Sequence, residues 1–593
     1  MNRRVNPSGK QEKPKNIRYV LKRLWDYLSY FKFLLIISLV LMVFSNAFSL
    51  IGPKLSGLAI DAIELGEGKV NFPVVFKYTI LMIIFYIFSG IFSYILSIIM
   101  LKMSKKIVFK LRKDAFDKIT KLPISYFDSN KTGDIISKMN YDIDTVNTSL
   151  SSDLIQILTS IITVVGSLIM MITISPILVL VFAITIPISL FFTRYMLRKT
   201  KKMFSKKSST LGELNAFSEE MITGLKTIKA YSSEKMVLSR FDNHNEEATR
   251  WGYLAEYYSS YTGPGVNFVN NLSLSLICIL GAVLSVISNF SLGKISSFIL
   301  YSRKFSGPIN EVANIFTDLQ SSLAAAERVF SLIDAAHESS DSYDALELEK
   351  IKGNVSLKNV YFSYQENGKM ILNNVSFEAL EGKTVAIVGK TGGGKTTIVN
   401  LLMRFYDINK GEILLDNNNI YKIKRNKLRE AYAMVLQDTW LFEGSVYENL
   451  SYGKKDAILD EVIKAAKACK IHGFIEKLPN GYDTILKDGG VNISKGQKQL
   501  LTIARAMLLD ANMLILDEAT SNVDTQTEVQ IQLAMKELMK NKTCFIIAHS
   551  LSTIQNADLI LVVDEGEIVE RGNHQELLFK HGYYYELYNA QFS

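Results

Sequence analysis

The chain has 593 residues, too many for one domain, and its 48% hydrophobic content and mean hydropathy of +0.14 direct the search to membrane segments first. Its three cysteines, Cys278, Cys469 and Cys544, lie far apart with no CxxC or Cys/His pairing, which argues against a disulfide framework or a zinc site. A net charge of +9 fits either a nucleic-acid partner or a lysine and arginine excess in cytoplasmic loops.

The first twenty residues are basic and polar, with no apolar core of a signal peptide. The stretch "KNIRYVLKRLWDYLSY" mixes basic residues with Trp25 and tyrosines, as an interfacial amphipathic helix does. Residues 1–30 are therefore read as a basic tail and interfacial helix. Five uncharged apolar runs follow: Phe33–Ile51, Thr79–Leu101, Leu154–Ser175, Pro176–Thr193 and Gly263–Leu292. Each is near or above the roughly 18 residues that a spanning helix needs. The N-terminus and the loops Lys102–Asp153 and Arg194–Tyr261 are basic, whereas Gly52–Pro73 is short and mixed, so the positive-inside rule puts the former in the cytoplasm. Five spans would leave everything after Leu292 outside. Parity with a cytoplasmic C-terminal half, for which the motifs below argue, demands a sixth span, Ile295 to about Leu323, interrupted by Arg303, Lys304, Glu311 and Asp318. Polar residues at membrane depth are tolerated where they face a water-filled cavity. The membrane domain is accordingly expected over 31–333.

Composition changes near Asp334. "HESSDSYDALELEK" reads as a charged linker over 334–350, and short apolar strands then alternate with helical stretches through 351–593. "KTVAIVGKTGGGKTTIVNLLMRF" reads as strand, glycine-rich loop and helix, with Gly389–Thr396 fitting GxxxxGK[ST]. Gly389, Lys390, Thr391, Gly392, Gly393, Gly394 and Thr397 belong to this phosphate-binding stretch. Lys395 would reach the β- and γ-phosphates, and Thr396 would bind Mg²⁺. In "NMLILDEATSNVD", Asp517 at a strand end suits Mg²⁺, and Glu518 suits activation of the attacking water. Adjacent acids after a strand are more often solvated surface; their place downstream of the phosphate loop favours the site. His549, after the strand in "FIIAHSLSTI", is a candidate γ-phosphate ligand. Gln437 in "AMVLQDTWLF" and Tyr364 in "VYFSYQ" have no role from their residues alone.

These motifs, in this order, resemble those of ATP-binding cassette (ABC) exporters of the half-transporter type, over nearly the whole chain. The resemblance implies a six-span α-helical transmembrane domain followed by an α/β P-loop nucleotide-binding domain, in the cell (cytoplasmic or inner) membrane. It implies ATP and Mg²⁺, with Tyr364 on adenine, Gln437 at Mg²⁺, and Glu518, Gln437 and His549 around the reaction. Coupling helices would fall near Pro123–Thr145 and Ile228–Lys235. The family's signature loop, Leu-Ser-Gly-Gly-Gln, binds the γ-phosphate of ATP held by the opposite subunit. Here it reads Ile493-Ser494-Lys495-Gly496-Gln497. Ser494, Gly496 and Gln497 keep the pattern, whereas Lys495 adds a side chain and restricts backbone angles where phosphate approaches.

An altered signature beside an intact Glu518 matches one subunit of heterodimeric, multidrug-type exporters. The expected partner is a different chain with an intact signature and a replaced catalytic glutamate; a homodimer tolerating lysine is the alternative. Ser550, where the family usually has arginine, is a second departure without a derived consequence. By analogy the substrate is a lipophilic drug-like compound or a membrane lipid, with no nucleic acid. Asn46, Asn270, Asn271, Tyr301, Asn310 and Asn314 are read as cavity candidates or interhelical partners. An ATP-gated channel or regulatory protein is the rival function, and an importer is disfavoured because the cassette follows the membrane domain in one chain.

Overall fold

The computed structural model describes residues 16–63, 70–348, 350–365, 368–436, 439–487, 490, 492–517, 524–547 and 554–592, without the side chains of 309–314, 316–317 and 591–592. Two compact units result: 1–122 with 130–336, and 337–593 with Pro123–Ser129.

The first unit is helical: α1 (Ile17–Ser29), α2 (Lys32–Asp61), α3 (Phe72–Ile119), α5 (Thr132–Ile174), α6 (Pro176–Thr223), α7 (Leu225–Ala230), α8 (Glu234–Ser288) and α9 (Leu292–Ile333), with α4 (Ile124–Ser129) belonging to the second unit. Five of these, α2, α3, α5, α6 and α8, are long and apolar enough to cross a membrane. Their most apolar windows are only 6–22% buried. Phe191, Val286 and Ile287 stay 76%, 85% and 76% exposed, so this surface calls for lipid rather than water.

The segments expected as long loops are helical instead. α3 runs 48 residues, well past Leu101, and α6 another 48, past Thr193. Hydropathy marks where a helix leaves the membrane, whereas main-chain hydrogen bonding continues it through polar residues. The second short helix, Leu225–Ala230, starts before the expected Ile228–Lys235.

Polar contacts join α2 to α9. Pro53 lacks an N–H, which releases the Ser49 carbonyl four residues earlier. Lys304 Nζ donates to Ser49 O at 3.0 Å, Tyr301 Oη to Leu50 O at 2.5 Å, and Ser297 Oγ to Pro53 O at 2.9 Å. Asp61, ending α2, accepts from Gly293 N at 2.7 Å and Ser291 Oγ at 2.9 Å, capping α9. Gly57 and Gly293 allow this approach, since a Cβ on Gly293 would lie 2.0 Å from Gly57 O. Asn46 bonds Met42 O and accepts from Thr163 Oγ1, so it and Tyr301 act as helix–helix partners.

Among the described residues the second unit holds two large sheets and a two-stranded antiparallel ladder of Gly444–Ser445 with Ile485–Leu486. An antiparallel one runs β2 (Leu372–Ala379), β1 (Val355–Phe362), β4 (Lys410–Leu415), β5 (Asn418–Asn419). The other runs β10 (Glu567–Gly572), β9 (Leu559–Asp564), β3 (Thr384–Val388), β8 (Thr543–Ile547), β7 (Met513–Asp517), β6 (Tyr432–Val435). It is parallel except for β10. Both faces of the parallel strands are covered, so "TVAIV" and "TCFII" are continuously apolar rather than alternating. One face packs on the antiparallel sheet through Val385, Ile387, Ile515 and Phe545. The other packs on helices through Ala386, Leu514, Cys544 and Ile546.

Candidate functional site

The site forms at the carboxyl ends of the parallel strands, where an α/β sheet presents a crevice. β3 ends at Val388, and the glycine loop turns into α10 (Lys395–Leu402). β7 ends at Asp517 and pairs with β8 so that Asp517 lies opposite Ile547. The strand between β3 and β7 thereby brings the loop and the carboxylate to one edge.

A cavity of about 460 Å³ lies there, lined by Tyr364, Ile371, Thr391, Gly392, Gly394, Lys395, Thr396, Thr397, Asp517 and Ile547. Two glycines of the loop, Gly389 and Gly394, sit where a side chain would be strained or crowded. Gly389 has φ +147° and Gly394 φ +106°, and a Cβ on Gly389 would lie 2.0 Å from Val563 O. Gly566 N donates to Gly393 O at 3.1 Å, so the turn between β9 and β10 braces the loop. Lys395 Nζ donates to the carbonyls of Gly389 at 2.8 Å and Lys390 at 2.9 Å, holding the ammonium over the loop. The N-terminal N–H groups of α10 favour an anion. Lys390 is exposed, and its hydrogen bond to Tyr583 Oη holds its ammonium above the usual lysine range.

Tyr364 is 46% exposed at the rim; its hydroxyl pairs with Thr397 Oγ1 at 3.0 Å and its ring meets Tyr406 edge-on at 4.9 Å. Tyr406 Oη in turn donates to Asp128 of α4. Sequence reasoning missed Tyr406, Ile371 and Ile547; only the tyrosine, in "RFYD" just after α10, offered a signal.

Thr396 and Asp517 supply oxygens to the same cavity, and the described residues hold no cluster of three or more His, Cys, Asp or Glu. That donor set fits Mg²⁺ shared with phosphate and water, not a protein-only metal cage.

Ser494, Gly496 and Gln497 are not among the lining residues; they open α11 (Lys495–Leu509). Ser494 Oγ accepts from Gln497 N at 3.2 Å, and Gln497 Oε1 accepts from Ser494 N at 2.9 Å, a closed capping box. Lys495 is the first helical residue, with no positive φ, so the expected restriction of its backbone does not arise. What the lysine adds at the start of α11 is a side chain and its charge. Farther along α11, Arg505 donates to Asn449 O at 2.8 Å and Trp440 O at 3.1 Å, and burial pulls its guanidinium below the usual range.

Gln437, Glu518, Ser521–Val523, His549 and Ser550 lie outside the described residues. Asp524 caps α12 (Thr525–Met539) through Thr527 N, a bond that holds its carboxyl below the usual range.

Two family models match the sequence: the ABC transporter transmembrane region over residues 35–309, and ABC transporter over 372–521. A fatty acid ABC transporter ATP-binding/permease protein of Mycobacterium bovis is 43% identical over 82% of this chain and 76% of its own length. An ATP-dependent lipid A-core flippase of Mannheimia succiniciproducens is 35% identical over 98% of this chain and 99% of its own. A solved bacterial Atm1-family ABC exporter with ATP bound superposes with a TM-score of 0.76 at 27% identity, covering 94% of this chain and 98% of that one.

Proposed function

The chain belongs to the ABC exporters, ATP-driven half-transporters that fuse a transmembrane region to an ATP-binding domain, and from that premise we propose that it moves an amphiphilic lipid or fatty acid out of the cytoplasmic leaflet. The observation that carries this is one chain holding both a lipid-facing helical unit and a phosphate-loop cavity, with 82–98% of its length matched by lipid-handling relatives. Drug-like substrates remain the broader class expected from the resemblance.

In the proposed topology α9 is the sixth span, and the N-terminus and cassette are cytoplasmic. The polar contacts that α9 makes with α2 support this, because they satisfy groups that hydropathy counts against a span. Tyr364 stacks on adenine. The glycine loop and α10 hold the phosphates, and Lys395 neutralises the β- and γ-phosphates. Thr396, Asp517 and Gln437 hold Mg²⁺, which when bound offsets phosphate charge. Glu518 takes a proton from the attacking water, and His549 orients the γ-phosphate. Two ATP molecules close paired cassettes and the membrane cavity turns outwards; hydrolysis resets it.

The second chain is proposed to differ from this one. Ser494, Gly496 and Gln497 would close the partner's ATP site. Lys495, at a helix N-terminus, is disfavoured by about 0.3–1 kcal/mol until an anion arrives, which favours tight ATP retention over turnover. ATPase assays on the chain alone and with a neighbouring half-transporter test this. In the mixed complex Glu518→Gln should remove most turnover while Lys495→Gly spares or raises it. A fully active chain on its own would rule out the heterodimer. ATP-dependent accumulation of a fatty acid in inverted vesicles tests the substrate, and its absence from an active ATPase would favour the channel-like rival.

A further inference from the structure

α1 is held to its unit more firmly than an anchor requires. Val20, Tyr27 and Leu28 are buried in a cluster with Val329 and Phe330 of α9 and Leu111 of α3. Arg23 Nη2 lies 2.6 Å from Asp334 Oδ1 and stands over the Phe330 ring, while Tyr19 Oη donates to the second oxygen of Asp334. Asn16 N donates to Glu327 Oε1 at 3.0 Å. Asp334 is the C-cap of α9, immediately before the connection to the ATP-binding unit.

Beside this docked face runs a bare one. Ile17, Leu21 and Trp25 are 49%, 51% and 63% exposed, and four-residue spacing stacks them into one stripe. Arg18 and Lys22, also exposed, run along one edge of the stripe, which the exposed Asp26 closes at the end nearer the first spanning helix. α1 ends at Ser29 and the first spanning helix begins at Lys32, so the stripe sits where that helix enters the bilayer. An apolar strip with two cations on one edge matches a leaflet surface of anionic phospholipid.

We propose that α1 is a docking surface for anionic phospholipid headgroups, read by Arg18 and Lys22, and that Tyr19 and Arg23 relay its seating to Asp334 and so to ATP hydrolysis. This rests on the orientation proposed above, with α1 on the cassette side. Headgroups draw the stripe into the leaflet. α1 cannot reseat without carrying Asp334, and a ligand that prefers one seating biases the end of α9 accordingly.

The test uses the full chain, with its partner where one is needed, in nanodiscs of phosphatidylcholine alone or mixed with phosphatidylglycerol. In a Trp251→Phe/Trp440→Phe background, brominated phosphatidylglycerol should quench Trp25 more than brominated phosphatidylcholine does, and Arg18→Ala/Lys22→Ala should erase the difference. ATPase activity should rise with phosphatidylglycerol in the wild type. That rise should be lost in Arg18→Ala/Lys22→Ala, and in Asp334→Asn, which retains the quenching. Equal quenching by the two lipids overturns the docking surface. An undiminished rise in Asp334→Asn overturns the relay. Quenching needs no ATP, so failure of the proposed transport function would leave that result readable.

Discussion

A methyl group at Gly389 would meet the Val563 carbonyl oxygen at 2.0 Å, whereas one at Gly392 meets nothing within 4 Å. Gly389→Ala should therefore cost about 1–3 kcal/mol through overpacking and loosen the loop, while Gly392→Ala suffers only its φ of +85°. Fluorescent-ATP titration alongside thermal unfolding separates them: the first should lose ATP affinity and stability together, the second less of both. Burial pushes the Cys469 and Cys544 thiols up to about 12, so both remain protonated near neutrality. Thiol-reactive maleimide at pH 7–8 should spare them until the cassette unfolds; rapid labelling of either in native protein would contradict the packing. The loop stood out in the sequence because its chemistry fixes residue types at fixed spacing, and Thr391, Gly392, Gly394, Lys395, Thr396 and Thr397 of it line the cavity. Tyr406 was not, because only the fold shows which aromatic Tyr364 meets.

Two elements owe their seating to buried charge. In α5 a π-helical turn, Lys138–Asp142, presents Asp142 to Arg328 of α9, with bonds of 2.8 and 2.6 Å and an Asp142 side chain 3% exposed. Asp142→Ala should strand the guanidinium and cost about 2 kcal/mol, below the range for fully buried pairs because Arg328 is half open to water. Thermal unfolding of the detergent-solubilised chain reads this, and Asp142→Ala/Arg328→Met should recover part of it. The linker is fixed similarly. Arg429 Nη2 meets Glu338 at 2.5 Å, Arg404 Nη1 meets Asp341 at 3.4 Å, and Arg425 N donates to Asp341 at 3.0 Å. Glu338→Gln/Asp341→Asn should loosen 337–345 and make it a protease-sensitive site, visible by limited trypsinolysis. From sequence this stretch read only as a charged connector, because the arginines that hold it lie more than 60 residues away. The five apolar runs were legible as spans, whereas the polar lengths of α3 and α6 read as loops because hydropathy carries no signal for a helix in water.

At the scale of the whole molecule, the two units divide the labour that composition suggested. The helical unit exposes apolar side chains that only lipid or detergent can cover, so dilution below the micelle concentration should aggregate the chain, as light scattering would register. Strand order explains why Asp517 reaches the phosphate loop although more than 120 residues separate them in sequence. The join between α2 and α9 sets a limit on how the molecule can move. Pulling these helices apart would leave the Ser49 carbonyl, already freed of its helix partner by Pro53, bare in hydrocarbon at a cost of several kcal/mol. In the proposed cycle the two should therefore travel as a single strut, leaving the bending that opens one side and shuts the other to the remaining helices. Spin labels on α2 and α9 should keep a constant separation through the ATP cycle, while a label pair from α2 to α6 changes.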